Sequence, residues 1–160
     1  MAIKKIELIP FIHGLCCIAL GLFFVYSGSK KFIPKEPRPV NKEVFIQAIE
    51  NDIFEKPITF KLCMKMMKVS GFLKLVGILQ LLAGVLMLFY KTRLLGLLFL
   101  LPITINIFTL HFFMDNRLDE DIKTGLILLT NLVLMAPYFK VLISNILNPV
   151  WVLNKKHDPS

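Results

Sequence analysis

The sequence predicts an all-α membrane protein: a four-transmembrane-helix bundle with a long loop, carrying a short amphipathic helix, between helices 1 and 2. Three observations predict it. The chain of 160 residues is 56% hydrophobic, with a mean hydropathy of +0.68, against roughly 45–50% apolar residues in a soluble domain. Its apolar residues fall in four stretches, about 11–29, 72–90, 94–113 and 124–146, each near the ~20 residues a helix needs to cross a ~30 Å hydrocarbon core. These stretches are almost free of charge, with Lys74 near the start of the second and Lys140 near the end of the fourth. In water such a chain would expose broad apolar patches. In lipid each segment must satisfy its own backbone hydrogen bonds, which selects helices over lone strands.

The first stretch follows Lys4 and Lys5, as a secretion signal would. It is too long for a signal's apolar core, and no small-residue cleavage site follows it, so it reads as a retained first span. The connection over 30–71 opens with Lys30 and Lys31 and turns through Pro34, Pro37 and Pro39. Asn41, Lys42 and Glu43 then provide an N-cap and first turn. Val44, Ala48, Ile49 and Ile53 follow at helical spacing, the pattern of a helix lying on the membrane or folded back on the bundle; a mobile loop is the alternative. Pro57 ends that element and Thr59 caps the next, where Lys61, Lys65 and Lys68 recur among apolar residues. The second span therefore begins outside the hydrocarbon as a basic amphipathic turn or two.

Lys91, Thr92 and Arg93 make a tight hairpin of spans two and three. Met114 to Lys123 is an acidic loop ahead of span four, and Trp151 beyond it suits the interface. Both termini are placed in the cytoplasm because their side of the membrane holds Lys4, Lys5, Lys91, Arg93, Lys155 and Lys156. The net charge of +8 is accounted for by anionic lipid head groups. No aromatic-basic module points to nucleic acid. The whole chain, 1–160, reads as a single transmembrane domain.

Small residues mark where helices meet in lipid. Gly14, Gly21 and Gly28 form one stripe on span one, and Gly77 and Gly84 repeat the spacing on span two, with Gln80 between them. Thr124, Asn131 and Tyr138 form a polar stripe on span four. Gln80, Asn106 and Asn131 each lie roughly 10–12 Å from the first-loop surface, at 1.5 Å per residue. Together with His111 they are the candidate intramembrane polar site, since polar groups at this depth point inward. The structural alternative is that the amides only join helices. Lys31 and Lys74 are candidates for head-group contact. Pro102 is expected to bend span three.

No catalytic residue and no metal site is assigned. Cys16, Cys17 and Cys63 lack metal or dithiol spacing. His13 and His111 fall at opposite surfaces, which argues against a haem bridge. The chain has no phosphate loop, nucleophile elbow or acid pair, so the reading leans away from an enzyme, and no cofactor is expected.

Several motifs resemble one family. They are Gly21-Leu22-Phe23-Phe24 with Ser27-Gly28-Ser29-Lys30-Lys31-Phe32, then Gly77-Ile78-Leu79-Gln80-Leu81-Leu82-Ala83-Gly84 with Thr92-Arg93-Leu94, then Leu101-Pro102-Ile103-Thr104-Ile105-Asn106-Ile107 with His111-Phe112-Phe113-Met114-Asp115. Their order and spacing resemble the DoxX family of DoxX-like four-helix bacterial membrane proteins. The resemblance implies a multi-pass protein of the bacterial inner (cytoplasmic) membrane. Gln80 stands where that family usually has a glutamate, and an amide cannot carry a titrating proton. Three functions are carried forward. The first is a non-catalytic accessory subunit that binds a larger membrane complex, with a homo-oligomer also open. The second is a quinone-linked oxidoreductase component, with Gln80, Asn106 and His111 around the quinone head. The third is a small transporter or lipid-binding protein using the same polar layer.

Overall fold

The computed structural model describes residues 3–33, 42–51, 56–115 and 117–147; for 3–9, 44–45, 56–57 and 145–147 it describes the backbone alone. Among the described residues every regular element is helical. In order they are α1 (Ile3–Ser29), α2 (Lys42–Glu50), α3 (Lys56–Val69), α4 (Phe72–Leu88), α5 (Arg93–Met114), α6 (Leu118–Met135), a 3-10 turn (Ala136–Tyr138) and α7 (Phe139–Leu147). The expectations for Val44 and Ile53, for the cap at Asn41 and for Trp151, Lys155 and Lys156 concern side chains or segments outside that description.

Three stretches are long and apolar enough to cross a membrane: Pro10–Ser29, Arg93–Met114 and Leu118–Ser144. A fourth exists if α3 and α4, bent by 81° at their junction, count as one span. By itself α4 is about 26 Å long at 1.5 Å per residue, short of a ~30 Å core. The three spans bury only 22%, 17% and 17% of their best windows inside the protein. The remaining apolar surface is of the kind a lipid bilayer accepts and water does not.

The packing follows the small residues. α1 lies on α4, α4 on α5, α5 on α6, and α6 returns to α1. A Cβ added to Gly21 would sit 2.9 Å from the carbonyl oxygen of Gly84, and one added to Gly28 would sit 2.8 Å from that of Gly77. The two glycine stripes therefore face each other, backbone against backbone. Gly96 does the same between α5 and α4, where an added Cβ would lie 2.8 Å from Ala83 O. Cys17, Leu20 and Phe24 of α1 close the core with Ala83, Met87, Leu97, Leu100 and Leu134.

Element boundaries differ from the sequence reading at α1, which begins at Ile3 and not near residue 11, at the fourth span, which the 3-10 turn divides into α6 and α7, and at three further points. Pro57 opens α3 instead of ending α2, and Thr59 lies inside that helix. Proline suits a first helical turn, where its missing N–H has no partner to lose. The basic turns ahead of the second span form a separate helix, set at an angle because Gly71 adopts φ 78°, a conformation open to glycine and strained for other residues. The acidic stretch 118–123 is helix, not loop. Its Asp119, Glu120 and Asp121 sit in the first turn of α6, where carboxylates complement the helix dipole, and Lys123 pairs with Asp119 at 3.1 Å and with Glu120 at 3.2 Å. In α5 the helix runs unbroken through Pro102. In α2, Ala48 is buried while Ile49 stays 60% exposed.

Replacing Gly84 by leucine should lower stability in detergent by about 1–3 kcal/mol, the range for overpacking a tight contact. Gly125→Ala should cost far less, because its added Cβ meets only the Phe108 ring, at 3.3 Å. Reversible unfolding in mixed micelles measures both, and equal losses would contradict the packing described here.

Candidate functional site

The sharp turn after α3 leaves room beside α1, α4, α5 and α6. A cavity of about 850 Å³ lies there. Its walls are mostly apolar, with Phe24, Phe60, Met64, Met67, Val76 and Leu79 among them. Helix α3 forms the roof. Its apolar side faces the cavity, while Lys61, Lys65 and Lys68 stay exposed, as suits basic side chains at a lipid head-group surface.

The polar lining is sparse and sits toward the first-loop end. It includes Lys31, Gln80, Thr104, Asn106, His111 and Thr124. Gln80 is 1% exposed, and its Oε1 accepts from Lys31 Nζ at 2.5 Å. This bond follows from the glycine packing: Gly28 docked on Gly77 carries Lys31, three residues on, to Gln80, three residues on. Burial pushes the Lys31 ammonium down from the ordinary lysine value of 10.5, because a half-buried cation is poorly solvated. Lys74 is exposed and takes no part in the lining.

His111 Nδ1 lies 3.1 Å from Asp115 Oδ2. The carboxylate accepts the Nδ1 proton. Arg117 donates to the same oxygen through Nη2 at 2.7 Å and Nε at 3.0 Å. The Phe60 ring of α3 rests against both, 4.8 Å from the His111 ring and 6.0 Å from the Arg117 guanidinium carbon. This contact holds the free end of the roof onto α5.

The three amides do not form one connected layer among the described residues. Asn131 is fully buried, and its Nδ2 donates to Thr104 Oγ1 at 3.4 Å. Thr104 in turn donates to Leu101 O at 2.9 Å, and Asn131 Oδ1 has no partner among the described residues. Asn106 is exposed and lines the cavity instead. Two residues on from Thr104, it stands about 200° away on a 3.6-residue helix, so the two cannot share an inward face. The sequence places Thr104 on the His111 face, more than a right angle from Asn106, but does not pair it with Asn131. Matching faces, and not only depth, would have found that pair.

Sequence reasoning also missed the polar cluster at the opposite end. Arg93, read as a loop residue, is only 6% exposed. Its Nε donates to Met87 O at 3.5 Å, while Thr92 Oγ1 donates to Leu86 O at 2.8 Å. The two side chains thus cap the carbonyl end of α4, where a cation also meets the negative end of the helix dipole. Nearby, His13 Nε2 donates to Leu134 O at 2.9 Å and the His13 ring meets Tyr138 edge-on at 5.6 Å. Among the described residues no group of three His, Cys, Asp or Glu side chains could hold a metal ion.

If the Asn131–Thr104 contact is a real helix clasp, a double-mutant cycle of Asn131→Leu with Thr104→Val should give a coupling of about 0.5–1.5 kcal/mol in unfolding, the size of such bonds in membranes. Gln80→Leu should couple to Lys31 and not to Thr104.

Compared with family models, with curated proteins and with solved structures, the chain finds no match.

Proposed function

We propose that this chain is a multi-pass membrane protein that binds an amphipathic, lipid-soluble molecule in the cavity between α1, α3, α4, α5 and α6. The observation that carries this reading is the shape of the polarity. About 850 Å³ of space is apolar toward Phe99 and Phe23 and polar toward Lys31 and His111. Ligand pockets are typically ~300–1,000 Å³, apolar, with a few placed polar groups. Phe99 and His111, twelve residues apart on α5, both line the space, so it follows about 18 Å of that helix at 1.5 Å per residue. A molecule with its head near the membrane surface and its tail toward the midplane fits that gradient.

The lipid-binding reading is favoured over an accessory subunit because the glycine stripes, which could have docked a partner, pack inside the chain, α1 against α4. A quinone-linked role stays within the same class, since Gln80, Asn106 and His111 all reach the lining and an isoprenoid quinone is an amphiphile. The proposal includes four spans, with α3 as an interfacial helix leading into α4. It places both termini in the cytoplasm and the protein in a bacterial inner membrane. It also includes DoxX-like ancestry, supported by the way two of the motifs meet: Gly28 packs on Gly77, and Lys31 bonds Gln80.

Solvent extraction of protein purified in mild detergent should release one class of lipid-soluble molecule at about one per chain, as one ligand-sized cavity holds. Leu79→Trp, which fills the cavity, should lower that yield severalfold without unfolding the protein. Release of bulk membrane lipid alone, in equal amounts from both proteins, would overturn the reading.

A further inference from the structure

We propose that the head of the bound amphiphile is an anion, a carboxylate or a phosphate monoester, and that Lys31 is its counter-ion. The inference rests on the cavity reading above and adds the chemistry of the head. It comes from the pairing of charges around the cavity.

Four groups that carry or can carry charge line it: Lys31, His111, Glu120 and Lys123. Three of them have ionic partners within the protein. His111 meets Asp115 at 3.1 Å. Lys123 meets Glu120 at 3.2 Å and Asp119 at 3.1 Å, and Arg117 approaches Glu120 at 4.0 Å. Lys31 differs. Among the described residues its bonded partner is the Gln80 amide, a neutral group. An ammonium offers three donors, and a half-buried cation bonded only to a neutral group is poorly compensated.

Position supports the same conclusion. Lys31 follows the end of α1 by two residues, and His111 stands in the last turn of α5. Both lie toward the first-loop end of the bundle. From there the lining turns apolar along Phe24, Leu79 and Phe99. An anion at Lys31 Nζ would gain a charge-assisted bond, shorter and stronger than a neutral one, while its tail ran down the apolar wall. Gln80 then serves as a positioning residue: its oxygen holds the ammonium, and its 1% exposure keeps it beneath the head.

The test is saturable binding of radiolabelled, tail-matched ligands to the full chain in nanodiscs of neutral phosphatidylcholine. Oleic acid, oleyl phosphate and oleyl alcohol share one tail and differ only in the head. Wild type should bind at least one of the two acids about tenfold or more tighter than the alcohol, since hydrogen bonds to charged groups are typically worth 1.5–3 kcal/mol. Lys31→Met should erase that preference, and Lys31→Arg should restore it. The stronger of the two acids identifies the source, a fatty acid or a lipid phosphate. Equal binding of acids and alcohol by wild type would overturn the anionic head and leave the cavity reading standing. An acid preference that survives in folded Lys31→Met would overturn the role of Lys31. No saturable binding of any of the three would overturn the cavity reading itself.

Discussion

The backbone contact between α1 and α4 sets the rest of the molecule. Lipid removes the hydrophobic force that would press these helices together, so close approach of the chains must hold them. Gly21 against Gly84 and Gly28 against Gly77 supply it, with room for hydrogen atoms and nothing larger. Seven-residue spacing keeps the contact on one side of both helices over two turns. Its consequence lies at the end of the seam. Lys31, two residues beyond the end of α1, is brought against Gln80 of α4.

The second constraint is the turn at Gly71. A continuous helix from Lys56 to Leu88 would have been one long, tilted span with its lysines dragged toward the hydrocarbon. The positive φ there breaks it, and the 81° bend lays α3 across the end of the bundle. Lysines then face outward and Phe60, Met64 and Met67 face inward. Methionine suits such a roof, since its unbranched, polarizable side chain adapts to irregular surfaces. The cavity is therefore a product of one glycine conformation together with the Phe60 contact on His111 and Arg117 at the far side.

What the sequence made legible and what it hid divide along a physical line. The apolar runs, the glycine stripes and the inward face of Gln80 and Asn131 follow from composition and a 3.6-residue period, both local properties. The bend at Gly71 was hidden because a glycine permits a positive φ without requiring it. The helical start at Leu118 was hidden because its acids look like a loop, although carboxylates in a first turn are favourable. Asn106 shared the depth of the other amides and not their face. Arg93 was hidden for a different reason: burying a guanidinium makes sense only once the exposed carbonyls at the end of α4 are seen beside it. The roof, the cavity and the cap all depend on which elements meet, and that is not a property of any single segment.

The two ends of the protein treat polar groups in opposite ways. At the end holding Arg93, the cation lies against backbone carbonyls, and His13 has Leu134 O as its acceptor. There the described polar side chains satisfy carbonyls near helix ends. At the end holding Lys31, the helices are spread by a roof, and the polar side chains face a space with apolar walls. A protein needing only stability would gain by treating both ends alike, since filling the cavity would bury more surface and remove a poorly solvated ammonium. An apolar-walled cavity beside a cation whose bonded partner among the described residues is a neutral amide thus carries a cost. An occupant with an apolar tail and a negative head removes both parts of that cost together, and a neutral occupant removes only the first.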